Sequence, residues 1–273
     1  MAEDAMAPAS TRTRKVAEQA TRESERDERA RVHSASPMRE ATKRVEELKR
    51  RTGLNRFLYE NALTVVAFAF FAVSMVGLAL AGRSAYNEEQ QQHGESSVSA
   101  VGYLTSGHFM EAIGENWESA FLQMGVFVLL TRFLYQRGSS ESKRIEEVEA
   151  VDQDPREARD DPEAPWPVRR GGMWLTLYRN SLSGATLIMF ALSVALHAAG
   201  GASKYNENQR SHGEPAVSTI GYMGTSQFWF ESFQNWQSEF FSVSVLALFT
   251  IWFRQQGSPQ SKPVAAPMSD TGE

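Results

Sequence analysis

Cysteine is absent from this sequence. Its absence excludes disulfides, thiolate-bound metals, iron–sulfur clusters and a cysteine nucleophile. It also removes the usual marker of redox compartment. Recognisable catalytic signatures are missing as well. There is no Walker loop, no dinucleotide fingerprint, no His-Glu-x-x-His and no nucleophile elbow, so a non-enzymatic protein is expected. Blocks of unmixed basic charge are lacking, and the net charge is -5 over 273 residues. No nucleic-acid partner is therefore expected. Inside the apolar runs described next, Gln123 reads as the only strongly polar side chain well within one. Pumps and transporters usually place ionisable groups at such depth, so this weakens a transporter or channel reading.

What the chain has is apolar sequence in four runs. Residues 63–82 carry no charge. About 20 apolar residues cross a ~30 Å hydrocarbon core as a helix, and in lipid a single segment satisfies its own backbone only as a helix. Ala79-Leu80-Ala81 has the look of a signal-peptidase site, but the charged stretch ahead of it is too long for a signal peptide. A retained helix is expected. The second run, residues 120–135, is short and holds Arg132 near its end, where the guanidinium can snorkel to the headgroups. Residues 182–203 and 240–253 are the third and fourth. Around them, residues 1–52 read as a charged, disordered cytoplasmic tail with a short exposed helix over 40–51. Residues 144–170 read as an acidic, Pro-rich mobile linker, and 263–273 as a tail.

The chain is duplicated. Residues 59–143 align with 178–262 without a gap and agree at 33 of 85 positions, against about 5 by chance, a self-similarity that marks a repeat architecture. Copy one spans 53–143 and copy two 171–262. The longest shared stretch is Tyr86-Asn87-Glu88-Glu89-Gln90 with His93-Gly94-Glu95. It returns as Tyr205-Asn206-Glu207-Asn208-Gln209 with His212-Gly213-Glu214. We read it as an interface loop within 83–106 and its counterpart. Next comes an amphipathic helix with an aromatic stripe at Met110, Gly114, Trp117 and Phe121, matched by Trp229, Phe233, Trp236 and Phe240. Glu111, Glu115 and Glu118 lie off that stripe. Gly138-Ser139 and Gly257-Ser258 look like a helix C-cap and exit.

Basic residues predict the orientation. Eight Lys/Arg fall in 31–56, only Arg83 between runs one and two, nine from Arg132 to Arg179, and Lys204 and Arg210 between runs three and four. This puts both termini and the linker in the cytoplasm and the His-Gly-Glu stretches outside. Two spans per copy make the copies parallel, unlike the inverted repeats of many transporters. The fold expected is an all-α membrane protein with four transmembrane helices from two tandem parallel repeats and amphipathic segments at the outer interface.

On the Tyr-Asn-Glu…His-Gly-Glu stretch, the Gly-Tyr…Asn-Trp-(Glu/Gln)-Ser stretch and the Gly-Ser exit, the chain resembles an uncharacterised family of bacterial integral membrane proteins. The resemblance covers about 53–143 and 171–262. It implies a multi-pass location in the bacterial cell membrane and transfers no catalytic residue.

The motif's chemistry reads two ways. His93, Glu95, His212 and Glu214, with Glu88 and Glu207, could ligate a divalent metal such as zinc, iron or manganese if the two copies meet. The plainer reading is a turn in which Gly supplies a positive φ, Tyr86 and Tyr205 anchor the interface, and Asn87 and Asn206 bond backbone. Asn116-Trp117 and Asn235-Trp236 form the other shared pair. They read as interfacial Trp with polar neighbours, with a ligand-facing patch as the alternative. His108 and His197 are unshared (their counterparts are Gln227 and Leu78) and read as local packing residues. Ala191, Ala195 and Ala199 form a small-residue stripe that reads as a packing face, within the bundle or between subunits. The expected role is structural or accessory in the envelope, with no cofactor. Its partners are the lipid bilayer and either a second copy or an envelope protein. An extracytoplasmic metal or ligand sensor is the alternative.

Overall fold

The computed structural model describes residues 52–272, together with Arg39, Thr42, Lys43, Val45, Glu46 and Arg50. Those six are helical and exposed, which agrees with an exposed helix over 40–51. The rest of the expected tail lies outside the described residues. Among the described residues the chain is all-helical, without strands.

The chain divides into two units, residues 1–76 and 77–273. In the first, α1 (Gly53–Glu60) carries an exposed Arg56–Glu60 pair at 2.7 Å. Asn61 then donates to the Phe57 carbonyl, and α2 (Ala62–Gln92) begins. The early turns of α2 are apolar and unburied: Leu63 is 86% exposed, and Phe70 and Val73 are 71%. That much apolar surface on a stretch without charge, residues 63–82, suits lipid rather than water. Among the described residues, two helices are long and apolar enough to cross a membrane, Ala62–Gln92 and Ser181–Ser211.

The second unit is built around α4 (Gly107–Phe133) and α7 (Ser181–Ser211), its most extensive helix pairing. The short α3 (Ala100–Leu104) packs on α4. The equally short α8 (Thr219–Met223) packs on α7, and α9 (Ser226–Trp252) on α4. Matched residues start matched helices. Ser99 and Ser218 accept from Gly102 and Gly221 to cap α3 and α8, and Ser106 and Thr225 accept from Phe109 and Phe228 to cap α4 and α9. The amphipathic stretch and the following apolar run are one unbroken helix in each copy, as expected. The helices end at Phe133 and Trp252, so the second run overshoots by two residues.

Several expectations are corrected. The Tyr-Asn-Glu stretch is no loop; it forms the last turns of α2 and α7. Only His93-Gly94-Glu95 and His212-Gly213-Glu214 turn. Gly94 and Gly213 both sit at φ 76°, and Glu95 and Glu214 donate back to Gln90 and Gln209, which closes each helix C-terminus. Gly138 lies beyond the end of α4 and is not its cap. The exit is a side-chain-held turn, in which Gln136 N–H donates to Ser142 Oγ and Gln255 N–H to Ser261 Oγ, both at 2.9 Å. The linker holds two 3-10 turns (Ala150–Asp152 and Pro155–Ala158) and α5 (Trp166–Arg170) ahead of α6 (Gly172–Tyr178). Ala191, Ala195 and Ala199 are exposed in the chain. The buried face of α7 is instead Thr186, Ser193, His197 and Gly200.

Candidate functional site

The α4–α7 seam allows close approach because glycine lines it. A Cβ on Gly114 would stand 2.6 Å from His197 Cα, and one on Gly200 would stand 2.8 Å from the Met110 carbonyl carbon. Backbones this near press side chains of the facing helix into the seam. Glu111 and Glu118, one turn to either side of Gly114, are buried there, and Glu115 is half-buried.

His197 is 0% exposed and sits at the centre. Its Nδ1 lies 2.8 Å from Glu118 Oε2 and its Nε2 3.3 Å from Glu231 Oε2, with its ring stacked on Phe228 at 4.7 Å. The carboxylates are held in turn. Trp236 Nε1 donates to Glu118 Oε1 at 3.0 Å, and Gln227 donates to Glu231 Oε1 at 2.6 Å. The Tyr222 hydroxyl donates to Glu231 Oε2. Lys204 donates to Glu111 Oε2 at 2.6 Å. Glu115, His197 and Glu231 each offer a ligand atom within 4.8 Å of the others. Outside the long helices, burial raises the Tyr222 phenol above its ordinary range, and its bond to Glu231 raises it further. Burial likewise raises Tyr103. Tyr222 donates to Glu231, and the Tyr103 hydroxyl lies 3.2 Å from His108 Nδ1.

His197 is thus no incidental packing residue, and Gln123 is not the only polar side chain inside an apolar run. Glu111 and Glu118, set aside as off the aromatic stripe, face α7.

The shared motif has a different office. Asn87 Oδ1 accepts from Val98 N–H at 2.8 Å while its Nδ2 donates to the Val98 carbonyl. Asn206 does the same with Val217. Each Asn therefore clips its helix end to the strand of loop leading into α3 or α8. Tyr86 is buried rather than interfacial. It donates to Glu207 at 2.7 Å, as does Gln90, so the two copies of the motif do meet, through Tyr86 and Glu207. Tyr205 instead packs against Tyr222, ring centroids 5.6 Å apart and tilted by 50°. Glu88 takes a bond from Ser84 at the surface.

His93, Glu95, His212 and Glu214 are all exposed, and the Glu115–His197–Glu231 group contains none of them. Asn116 and Asn235 bond their own helix, to the carbonyls of Ala112 and Glu231. Trp117 is half-buried, and Trp236 reaches the centre.

A family model described as Domain of unknown function (DUF6766) matches residues 54–273. The chain belongs to that family. No curated protein and no solved structure matches it. The match begins within α1 and runs unbroken through both copies and the linker, so the DUF6766 domain contains the whole buried centre.

Proposed function

We propose that this DUF6766 protein is a multi-pass protein of the bacterial cell membrane with a structural or accessory, non-enzymatic role. It has four spanning helices from two tandem parallel copies, α2 with α4 and α7 with α9. The observation that carries the reading is the exposure of Leu63, Phe70 and Val73 on an uncharged stretch of 20 residues, surface that lipid covers without cost. Sequence duplication extends the reading from the two most apolar helices to their partners. The alternation of basic-rich and basic-poor segments supports cytoplasmic termini and linker, with the His-Gly-Glu turns outside. A close central pair, α4 against α7 bridged by His197–Glu118 and Lys204–Glu111, suits a scaffold that holds envelope partners or a second copy.

Topology is tested with a single cysteine at Glu89 in this otherwise cysteine-free chain. On intact cells an impermeant maleimide should label it, whereas a cysteine at Ser140 should label only after permeabilisation. The reverse pattern sinks the orientation, and loss of the protein from carbonate-washed membranes sinks the integral reading. Crosslinking in native membranes tests the accessory role: a reproducible partner or self-adduct is expected, and its absence counts against that role.

A further inference from the structure

The buried centre carries more acid than base. Glu111, Glu115, Glu118 and Glu231 face one ammonium, Lys204, and one imidazole, His197. Even with His197 protonated, four ionised carboxylates leave two negative charges without a counter-charge. Excess charge is costly where water is excluded.

The geometry says where a cation would go. Glu118 accepts at His197 Nδ1, so Nδ1 carries the hydrogen. In the neutral ring Nε2 then presents its lone pair toward Glu231 Oε2, 3.3 Å away. A lone pair facing a carboxylate oxygen is repulsive unless a proton or a metal ion lies between them. Two ligand atoms bound to zinc at about 2.1 Å sit ~3.4 Å apart across a tetrahedral angle, close to the observed spacing. Glu115 supplies the third ligand atom, a carboxylate oxygen. No hydrogen bond reaches its carboxylate among the described residues, so it is free to close by roughly an ångström through a rotamer change.

The surroundings match a metal's outer shell. A ligating imidazole usually hands its other N–H to a carboxylate, which fixes the tautomer and raises basicity; Glu118 holds that place, itself held by Trp236. A ligating carboxylate is usually hydrogen-bonded in turn, as Glu231 is by Tyr222 and Gln227.

We infer that Glu115, His197 and Glu231 form a binding site for a first-row divalent cation, zinc or manganese, with Glu118 as the positioning carboxylate behind the imidazole. One imidazole with two carboxylates is a borderline-hard donor set suited to these ions, and three protein ligands leave a position open for water. The site goes beyond the membrane reading and does not depend on orientation, so the cysteine-labelling experiment can fail without touching it.

The test uses the full chain purified in mild detergent, stripped of metal and titrated with zinc or manganese alone, with binding read by calorimetry and bound metal by elemental analysis. One equivalent per chain is expected. Glu115→Gln is the clean variant, because no hydrogen bond holds that carboxylate; helical content should stay intact while affinity falls at least ~100-fold. Glu118→Gln should weaken binding by about 10–100-fold, the usual effect of an outer-shell partner. X-ray absorption at the zinc edge should show one imidazole among oxygen neighbours. Neither ion binding the folded wild-type chain at about 100 µM, well above the range of a built metal site, overturns the proposal. So does binding that survives Glu115→Gln and Glu231→Gln but is lost on replacing His93 or His212. Full binding by those two variants alongside an edge spectrum without imidazole overturns it equally.

Discussion

Gly114 and His197 stand face to face at the closest approach of α4 and α7, where a Cβ on the glycine would lie 2.6 Å from the histidine's Cα. Backbone cannot retreat as a flexible side chain can. Gly114→Ala should therefore part the helices and disturb every bond His197 makes. A loss of about 1–3 kcal/mol, the usual range for overpacking, is expected in equilibrium unfolding from mild detergent. Ala at Gly184, where nothing lies within 4 Å, should cost nothing and is the control.

Gly82 and Gly201 each lie under a tyrosine ring, Tyr103 and Tyr222, but not in the same way. A Cβ on Gly82 would meet the Tyr103 hydroxyl first, with Cζ at 2.9 Å, whereas one on Gly201 would meet the ring of Tyr222 itself as well as its hydroxyl. Both Gly→Ala variants should lose stability. Adding Tyr103→Phe should recover part of the Gly82→Ala loss, and Tyr222→Phe should recover little of the other. Melting temperatures of the four variants decide it; equal rescue would refute the distinction.

Removing one member of the buried centre leaves its partners charged and unpaired. Glu118→Ala strips His197 Nδ1 and Trp236 Nε1 of their acceptor at once. A loss of about 3–5 kcal/mol is expected, the range for breaking a buried pair. Replacing Glu118 and His197 together should cost less than the sum, and a double-mutant cycle measures the coupling.

The two asparagines give a milder case. Asn206→Ala forfeits two bonds to Val217 at 2.7 and 2.8 Å, about 1–3 kcal/mol at 0.5–1.5 each. Asn206→Asp keeps the acceptor and loses the donor, so it should fall between. Hydrogen exchange at the Val217 amide reports the bond directly, and fast exchange in the wild-type chain would count against it.

Alkali should act through Tyr103 and Tyr222, whose folded values lie above the unfolded value of about 10. For an acid with a raised pKa, the contribution to stability is whole below the unfolded value and is lost as pH rises through the folded one. Stability should therefore decline above about pH 10. Tyr222→Phe should flatten that limb and leave the 295 nm phenolate absorbance gained by about pH 10.5 unchanged. A smaller absorbance in the variant at that pH would show Tyr222 titrating normally.

Much of this was legible from residue order. The uncharged run after Leu63 gives the helix, and the positive-φ glycines give the turns. The bond from Asn87 to loop backbone was anticipated from residue type. Two things were hidden. Nothing in Tyr-Asn-Glu-Glu-Gln breaks a helix, and its polarity imitates a loop only because the run before it is so apolar. The buried centre was invisible for a stronger reason. Its members sit where the copies disagree: His197 against Leu78, Glu118 against Gln237, Glu231 against Ala112, Lys204 against Ala85. Recurrence favours the matched residues, most of which hold turns, caps and loop clips; of them Trp236 and Tyr222 reach the centre, as donors to its carboxylates. Contacts between the second helix of one copy and the first helix of the next leave no trace in an alignment of the two.

That pairing bears on how such a chain could arise. A molecule with a single copy could reproduce the α4–α7 seam only by lying beside its twin, and symmetry would then force the same residue onto both sides. Joining the halves in one polypeptide lifts that constraint. One side can keep a leucine where the other acquires a histidine, and a lone acidic pocket can develop without a mirror image to destabilise the assembly. The linker is then what permits the asymmetry: expressed as two separate halves, the chain should reassemble as a mixed pair rather than as two matched ones.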